Sequence, residues 1–143
     1  MKYQLFICLF LSFLFILCTI SQAFTYTEEP IIIRELKYEV QQNSGFSIDV
    51  QVLMNEKSRL QDLYITPAKG KTYSLSPFLY SVALAVARIT QKSVTYQVYT
   101  GQVLIDINGE LWAISAEMCR KVFELGTVEE QNKTLQKKLI RLR

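Results

Sequence analysis

The chain has 143 residues, with 16 lysines and arginines against 13 acids and no histidine, which gives a formal net charge of +3 at pH 7. This length suits one domain rather than two, and so mild a positive charge gives no indication of nucleic-acid binding. The absence of histidine also removes the most common general base and metal ligand.

The first 23 residues have the pattern of a secretory signal peptide. Lys2 precedes an apolar run over residues 5–20, and Ser21 and Ala23 supply small residues at the −3 and −1 positions of a cleavage site. An uncleaved membrane anchor is the alternative, although the run is slightly shorter than most bilayer spans. The sequence therefore predicts an exported protein, periplasmic or secreted, that contacts the membrane only through this segment if it is not cleaved.

Two segments that follow alternate apolar with polar residues and are predicted to pair as a β-hairpin. In the first, residues 32–41, Leu36, Tyr38 and Val40 alternate with polar side chains, and the second covers residues 46–53. Helix is the competing interpretation of the first segment, because Glu, Leu and Lys favour helices.

Residues 76–90 are predicted to form a buried central helix. Ser76 is a favoured N-cap, Pro77 is tolerated in the first turn, and residues 78–89 are apolar on nearly every side. The segment before it, residues 55–63, has the composition for two helical turns but stays ambiguous.

Residues 94–114 are predicted to form a meander of three antiparallel strands. Residues 94–99 and 103–107 alternate in character, and residues 110–114 return as the third strand. Asn108-Gly109 is typical of a type I′ hairpin turn, which needs positive φ at both central residues.

Two further helices are predicted at the C-terminal end. Ser115 caps the first, over residues 116–125, and Thr127 with Glu130 has the spacing of a capping box for the second. The second helix, residues 127–143, is basic and amphipathic; it can dock on the core, contact a partner or lie on a membrane. Its apolar seam consists of Leu135, Leu139 and Leu142.

These elements predict one α+β domain over residues 24–126, followed by the helix of residues 127–143. The N-terminal hairpin and the meander would form a small antiparallel sheet. The sheet would pack against the buried central helix, with two C-terminal helices beside it.

The sequence offers little catalytic or metal-binding equipment. Cys119 is the only cysteine outside the signal segment, and without histidine it has no ordinary base to activate it. Asp49 and Asp106 would act as an acid–base pair only if their strands bring them together. Gly70-Lys71-Thr72 ends like a phosphate-binding loop, but Ile65 stands where that motif needs its first glycine. We therefore assign no catalytic, cofactor-binding or metal-binding residue and expect a protein without enzymatic activity.

The remaining features favour an exported protein that binds another macromolecule, as an envelope assembly component, adaptor or inhibitor. Its partner would be another protein or a second copy of the chain. A small-ligand-binding exported domain is the alternative, and a hydrolase that relies on carboxylates is a third hypothesis. The candidate partner-binding residues are aromatic, basic or part of the leucine seam. They are Tyr64, Lys69, Lys71, Tyr99, Trp112, Leu135, Lys138, Leu139 and Leu142.

Overall fold

The computed structural model describes residues 29–124 and 126–143, so the predicted signal peptide of residues 1–23 lies outside the described part. The described chain forms an α+β domain of five helices and five strands. In chain order they are α1 (Ile31–Ser44), β1 (Ile48–Met54), β2 (Gln61–Pro67), α2 (Leu75–Lys92), α3 (Val94–Tyr99), β3 (Thr100–Ile107), β4 (Glu110–Ser115), α4 (Ala116–Phe123), α5 (Val128–Lys138) and β5 (Ile140–Arg141).

The five strands form one mixed sheet with the order β1-β2-β3-β4-β5. Every neighbouring pair is antiparallel except β2 and β3, which run parallel with Leu63 opposite Val103 and Ile65 opposite Ile105. A parallel pair needs a crossover connection, and α2 and α3 provide it. The prediction of a purely antiparallel sheet is therefore wrong at this one junction.

The start of the β2–β3 junction depends on a close approach at Gly101. The register shifts between Gln61 and Leu63, and the Asp62 carboxylate accepts a hydrogen bond from the Gln102 backbone N–H at 2.8 Å. A Cβ atom at position 101 would lie 2.6 Å from that carboxylate oxygen. A side chain at position 101 would therefore displace the Asp62 carboxylate and crowd Leu60.

The helices pack on one face of the sheet. Alternate residues of the strands are buried against them, and α2 contributes Phe78, Val82 and Val86, all fully buried. The predicted central helix is confirmed, although it begins at Leu75 with Ser74 as its N-cap rather than at Ser76. None of the described helices combines the length and the apolarity that crossing a bilayer requires.

The predicted strand over residues 32–41 is wrong, because this segment lies within helix α1. Its buried residues are Ile32, Ile33, Leu36 and Val40, which have the spacing of one helical face. The helix ends at Gly45, whose φ of 73° and N–H bond to the Gln41 carbonyl oxygen make it a left-handed C-cap. Consequently β1 pairs with β2, and the predicted N-terminal hairpin does not form.

Two other segments also differ from their predicted structure. Residues 55–60 form a turn and residues 61–67 form β2, so the helical interpretation of residues 55–63 is wrong. Residues 94–99 form helix α3 instead of a strand, with the Ser93 side chain accepting a hydrogen bond from the Tyr96 N–H. The meander therefore has two of its three predicted strands, β3 and β4.

The turn and cap signals are confirmed by the backbone geometry. Asn108 and Gly109 have φ angles of 53° and 77°, as the β3–β4 hairpin turn requires. Ser115 accepts a hydrogen bond from the Met118 N–H, and Thr127 accepts one from the Glu130 N–H.

The C-terminal segment is part of the domain rather than a free helix. Helix α5 ends at Lys138, and Leu135 and Leu139 are buried in the core. The chain then forms β5, which pairs with Trp112 and Ala113 of β4, so the predicted helix over residues 127–143 is wrong beyond Lys138. Of the three predicted alternatives, docking on the core is the one that the structure shows.

A candidate protein-binding surface

Exposed apolar side chains lie at the start of α1 and along α3. Four of them carry more than half of their maximal accessible surface: Ile31 (57%), Val94 (75%), Val98 (57%) and Tyr99 (55%). We call these four residues the α1–α3 surface. Exposed apolar groups in contiguous patches are typical of interaction sites.

Helix α3 exposes Val94, Val98 and Tyr99 because it is short and follows α2 directly. Its six residues include no buried side chain. Val94 and Val98 are four positions apart and share one side of the helix, whereas Thr95 and Tyr99 share the adjacent side. The second side faces α1, and the first side extends the apolar surface outward.

Two grooves adjoin the α1–α3 surface and meet at Tyr96. The first has a volume of about 300 Å³ and lies between the start of α1 and α3, with Ile31, Thr95, Tyr96 and Tyr99 in its wall. The second has a volume of about 600 Å³ and lies between α1 and the end of α2. Its lining includes Arg34, Glu35, Tyr38, Glu39, Lys92 and Tyr96.

The charges of the second groove are mixed and partly paired. The Glu39 carboxylate contacts Lys92 Nζ at 3.1 Å and Arg88 at 3.7 Å, and its side chain is only 14% exposed. Burial, followed by the negative charge of Glu35, raises the pKa of Tyr96. The Tyr96 hydroxyl is therefore a neutral hydrogen-bonding group at physiological pH.

The nine partner-binding candidates from the sequence do not converge on one site. Tyr99 lies on the α1–α3 surface. Lys69 and Lys71 are exposed in the β2–α2 connection, at the opposite end of β2. Lys138 is exposed on α5, and Leu142 is 56% exposed beside β4, with its N–H bonded to the Leu111 carbonyl oxygen.

The remaining candidates are engaged within the domain. Leu135 and Leu139 are buried, so the folded domain does not expose these two side chains to a partner. The indole N–H of Trp112 donates to Glu110, and the ring packs partly against the core.

Tyr64 lies on the face of the sheet opposite the helices. Its hydroxyl donates a hydrogen bond to Asp106, which also accepts one from Arg143 at 3.1 Å. The hydrogen bond to Asp106 is the main cause that raises the pKa of Tyr64. This cluster ties β2, β3 and the C-terminal segment together.

Among the described residues, the other reactive groups do not converge on a second site. Asp49 and Asp106 lie on strands separated by β2, so their Cα atoms are about 10 Å apart and their carboxylates do not form a contacting pair. Burial raises the pKa of the Cys119 thiol to about 12, which keeps it protonated and unreactive. Within residues 29–124 and 126–143, no cluster of acids and cysteines suitable for a metal ion is found.

Three of the four residues of the α1–α3 surface were absent from the sequence-based candidates. Val94 and Val98 were assigned to a strand, where alternation would have turned them towards the core. Ile31 directly precedes the predicted strand of residues 32–41 and is not among the predicted partner-binding residues. The signal that was available is Ser93, a favoured N-cap residue directly before Val94.

Comparisons with known proteins found no matching family model, no similar curated protein and no similar solved structure. The function is therefore inferred from the geometry of this chain.

Proposed function

We propose that this chain is an exported, non-enzymatic protein that binds a protein partner in the cell envelope through the α1–α3 surface. Export is supported by the apolar run of residues 5–20 and by the small residues Ser21 and Ala23. The binding role is supported by one observation above all, namely that α3 exposes Val94, Val98 and Tyr99 and buries no side chain.

The exposed side chains of α3 contribute little to the stability of the isolated domain. Valine and tyrosine are poorer helix formers than alanine, lysine or glutamate. Their exposed apolar area also contributes no hydrophobic stabilisation until something covers it. Contact with an apolar surface of a partner would supply that stabilisation, and Tyr99 would add the amphipathic ring that is enriched in protein interfaces.

The charges beside the surface favour a protein over an anionic membrane. Glu35 and Glu39 lie among Arg34 and Lys92 in the adjoining groove. Peripheral helices that bind anionic lipid are rich in lysine and arginine on their polar side, whereas the acids here would be repelled by lipid phosphates. Mixed charges around an apolar centre are instead typical of a protein–protein interface.

Site-specific photo-crosslinking in envelope extracts tests this proposal. A photoreactive amino acid replaces Tyr99 in one variant and Val128 in another, because Val128 is also exposed (61%) but lies on α5. We expect a discrete protein adduct from position 99 that position 128 does not form.

Competition with unlabelled protein then shows whether the adduct depends on the surface. Wild-type chain and Val128→Glu should suppress the adduct at position 99, whereas Val98→Glu should not, provided that all three proteins unfold cooperatively. Adducts with lipid alone, no adduct, the same adduct from both positions, or equal suppression by Val98→Glu would each overturn the proposal.

A further inference from the structure

Strand β1 forms one edge of the sheet and has few of the features that usually prevent edge strands from pairing. It pairs with β2 over all seven residues without a bulge. Its sequence contains no lysine, arginine or proline, and its one charged residue is Asp49. Natural edge strands are normally short, bulged or protected by such residues.

The opposite edge of the sheet is different. Strand β5 has only two residues, and one of them is Arg141, which is engaged with Glu110 at 3.1 Å. A strand of this length offers few backbone groups to a neighbour. The contrast identifies β1 as the open edge among the described strands.

The hydrogen bonds at both ends of β1 show which backbone groups point outward. The Asn55 N–H bonds to the Leu60 carbonyl oxygen at 2.8 Å, and the Ala68 N–H bonds to the Ser47 carbonyl oxygen at 2.9 Å. In a regular antiparallel ladder the hydrogen-bonded residues alternate, so odd-numbered residues of β1 bond to β2. The N–H and C=O groups of the even-numbered residues therefore face the open edge; these residues are Ile48, Val50, Val52 and Met54.

We infer that β1 pairs with β1 of a second copy of this chain, antiparallel and about a two-fold axis at Gln51. This is the register in which all seven residues of both strands find a partner. Ile48 then lies opposite the partner's Met54, and Val50 lies opposite the partner's Val52. These are the outward-facing residues, and they can form about eight hydrogen bonds between the two chains.

The side chains fit this register. Asp49 lies opposite the partner's Leu53, so the single charge of the strand does not meet its own copy across the axis. Met54 is 61% exposed and Leu53 is 44% exposed, and both gain a neighbour on pairing. A two-fold contact of this kind is closed and makes a dimer rather than a filament.

The test uses the position on the two-fold axis. Gln51 is exposed on the sheet face opposite the helices, and in the dimer it faces the partner's Gln51 as a non-hydrogen-bonded pair, where side chains approach most closely. Gln51→Lys and Gln51→Glu should each raise the dissociation constant of the dimer about fivefold or more, because like charges are then opposed. An equimolar mixture of the two variants should associate at least as tightly as the wild-type chain.

Sedimentation equilibrium on the purified chains measures these constants. Gln102→Lys is the matched control, since Gln102 is exposed on β3, away from the edge, and it should dimerise like wild type. A wild-type monomer, two variants that dimerise normally, or a mixture that associates no better than its components would overturn the inference. The α1–α3 surface is unchanged in these variants, so failure here leaves the protein-binding proposal to its own test.

Discussion

Cys119 shows how strongly the packing of this small domain controls a single side chain. The residue is fully buried on α4, in the same core cluster as Val122 and Ala116. Burial raises the pKa of its thiol to about 12 from an ordinary value of 9.0, because a thiolate would have to be formed without water around it. The thiol is therefore a small apolar group of the core and carries no reactivity.

This pKa predicts a loss of stability in alkaline solution. The folded thiol stays protonated, whereas the unfolded thiol loses its proton near pH 9. The contribution of the buried thiol to the free energy of unfolding is therefore complete below pH 9 and is lost as the pH rises towards 12. The thiol alone should lower the free energy of unfolding by about 1 kcal/mol between pH 8 and pH 10.

Chemical denaturation at both pH values measures the effect. Cys119→Ala should be less stable than wild type at pH 8, but its free energy of unfolding should fall less between the two pH values. Equal falls in the two proteins would contradict the prediction. The raised pKa values of Tyr64 and Tyr96 also lower the free energy of unfolding at high pH. They do so equally in both proteins, so their effect cancels in this comparison.

At the scale of elements, the sequence correctly predicts the turns and helix caps that depend on local signals. It gives the wrong structure where a segment fits both a helical and a strand pattern. The Asn108-Gly109 turn and the Ser115 and Thr127 caps are short-range features, and all three form as predicted. The segment of α1 contains alternation at Leu36, Tyr38 and Val40 as well as a helical apolar face, and only tertiary packing decides between them. The C-cap at Gly45 was the local signal that could have corrected this assignment.

Helix α3 differs from α1, because its residues favour a strand and yet form a helix that makes little contact with the core. A substitution that improves helix propensity at an exposed position should therefore stabilise the domain. We expect Val98→Ala to raise the free energy of unfolding by about 0.5 kcal/mol while weakening partner binding. Val86→Ala, the same change at a fully buried position of α2, should lower the free energy by about 2 kcal/mol.

Thermal or denaturant unfolding distinguishes the two positions. A stability loss for Val98→Ala as large as that for Val86→Ala would show that the Val98 side chain packs against the domain rather than being exposed to solvent. Such a result would also remove the main support for the α1–α3 surface as a binding site.

At the scale of the whole molecule, the C-terminal segment packs against the rest of the domain. Leu135 and Leu139 are buried in the core, and β5 extends the sheet beside β4. The sequence indicated an amphipathic helix here but could not show its partner, because a leucine seam fits the chain's own core as well as another surface. The sequence could not predict the mixed sheet either, since strand order depends on contacts between residues that are distant in sequence.

Because of this packing, we expect a leucine-to-alanine substitution to change the free energy of unfolding by different amounts at different positions of the leucine seam. Leu135→Ala should lower the free energy of unfolding by about 2–5 kcal/mol, because it leaves a cavity in the core. Leu142→Ala, at a side chain that is 56% exposed, should change it by no more than about 0.5 kcal/mol. Urea titrations of the two variants give both values, and comparable losses would contradict the described docking of α5.

The single parallel junction sets the order in which the sheet can assemble. Leu63 faces Val103, 40 residues later, whereas Met54 faces Gln61 and Ile107 faces Glu110 across short turns. Closing a loop of 40 residues rather than 7 costs about 1.5 kcal/mol more in chain entropy. We therefore expect the two hairpins, as local units, to form early and the β2–β3 ladder, with its higher contact order, to limit the folding rate.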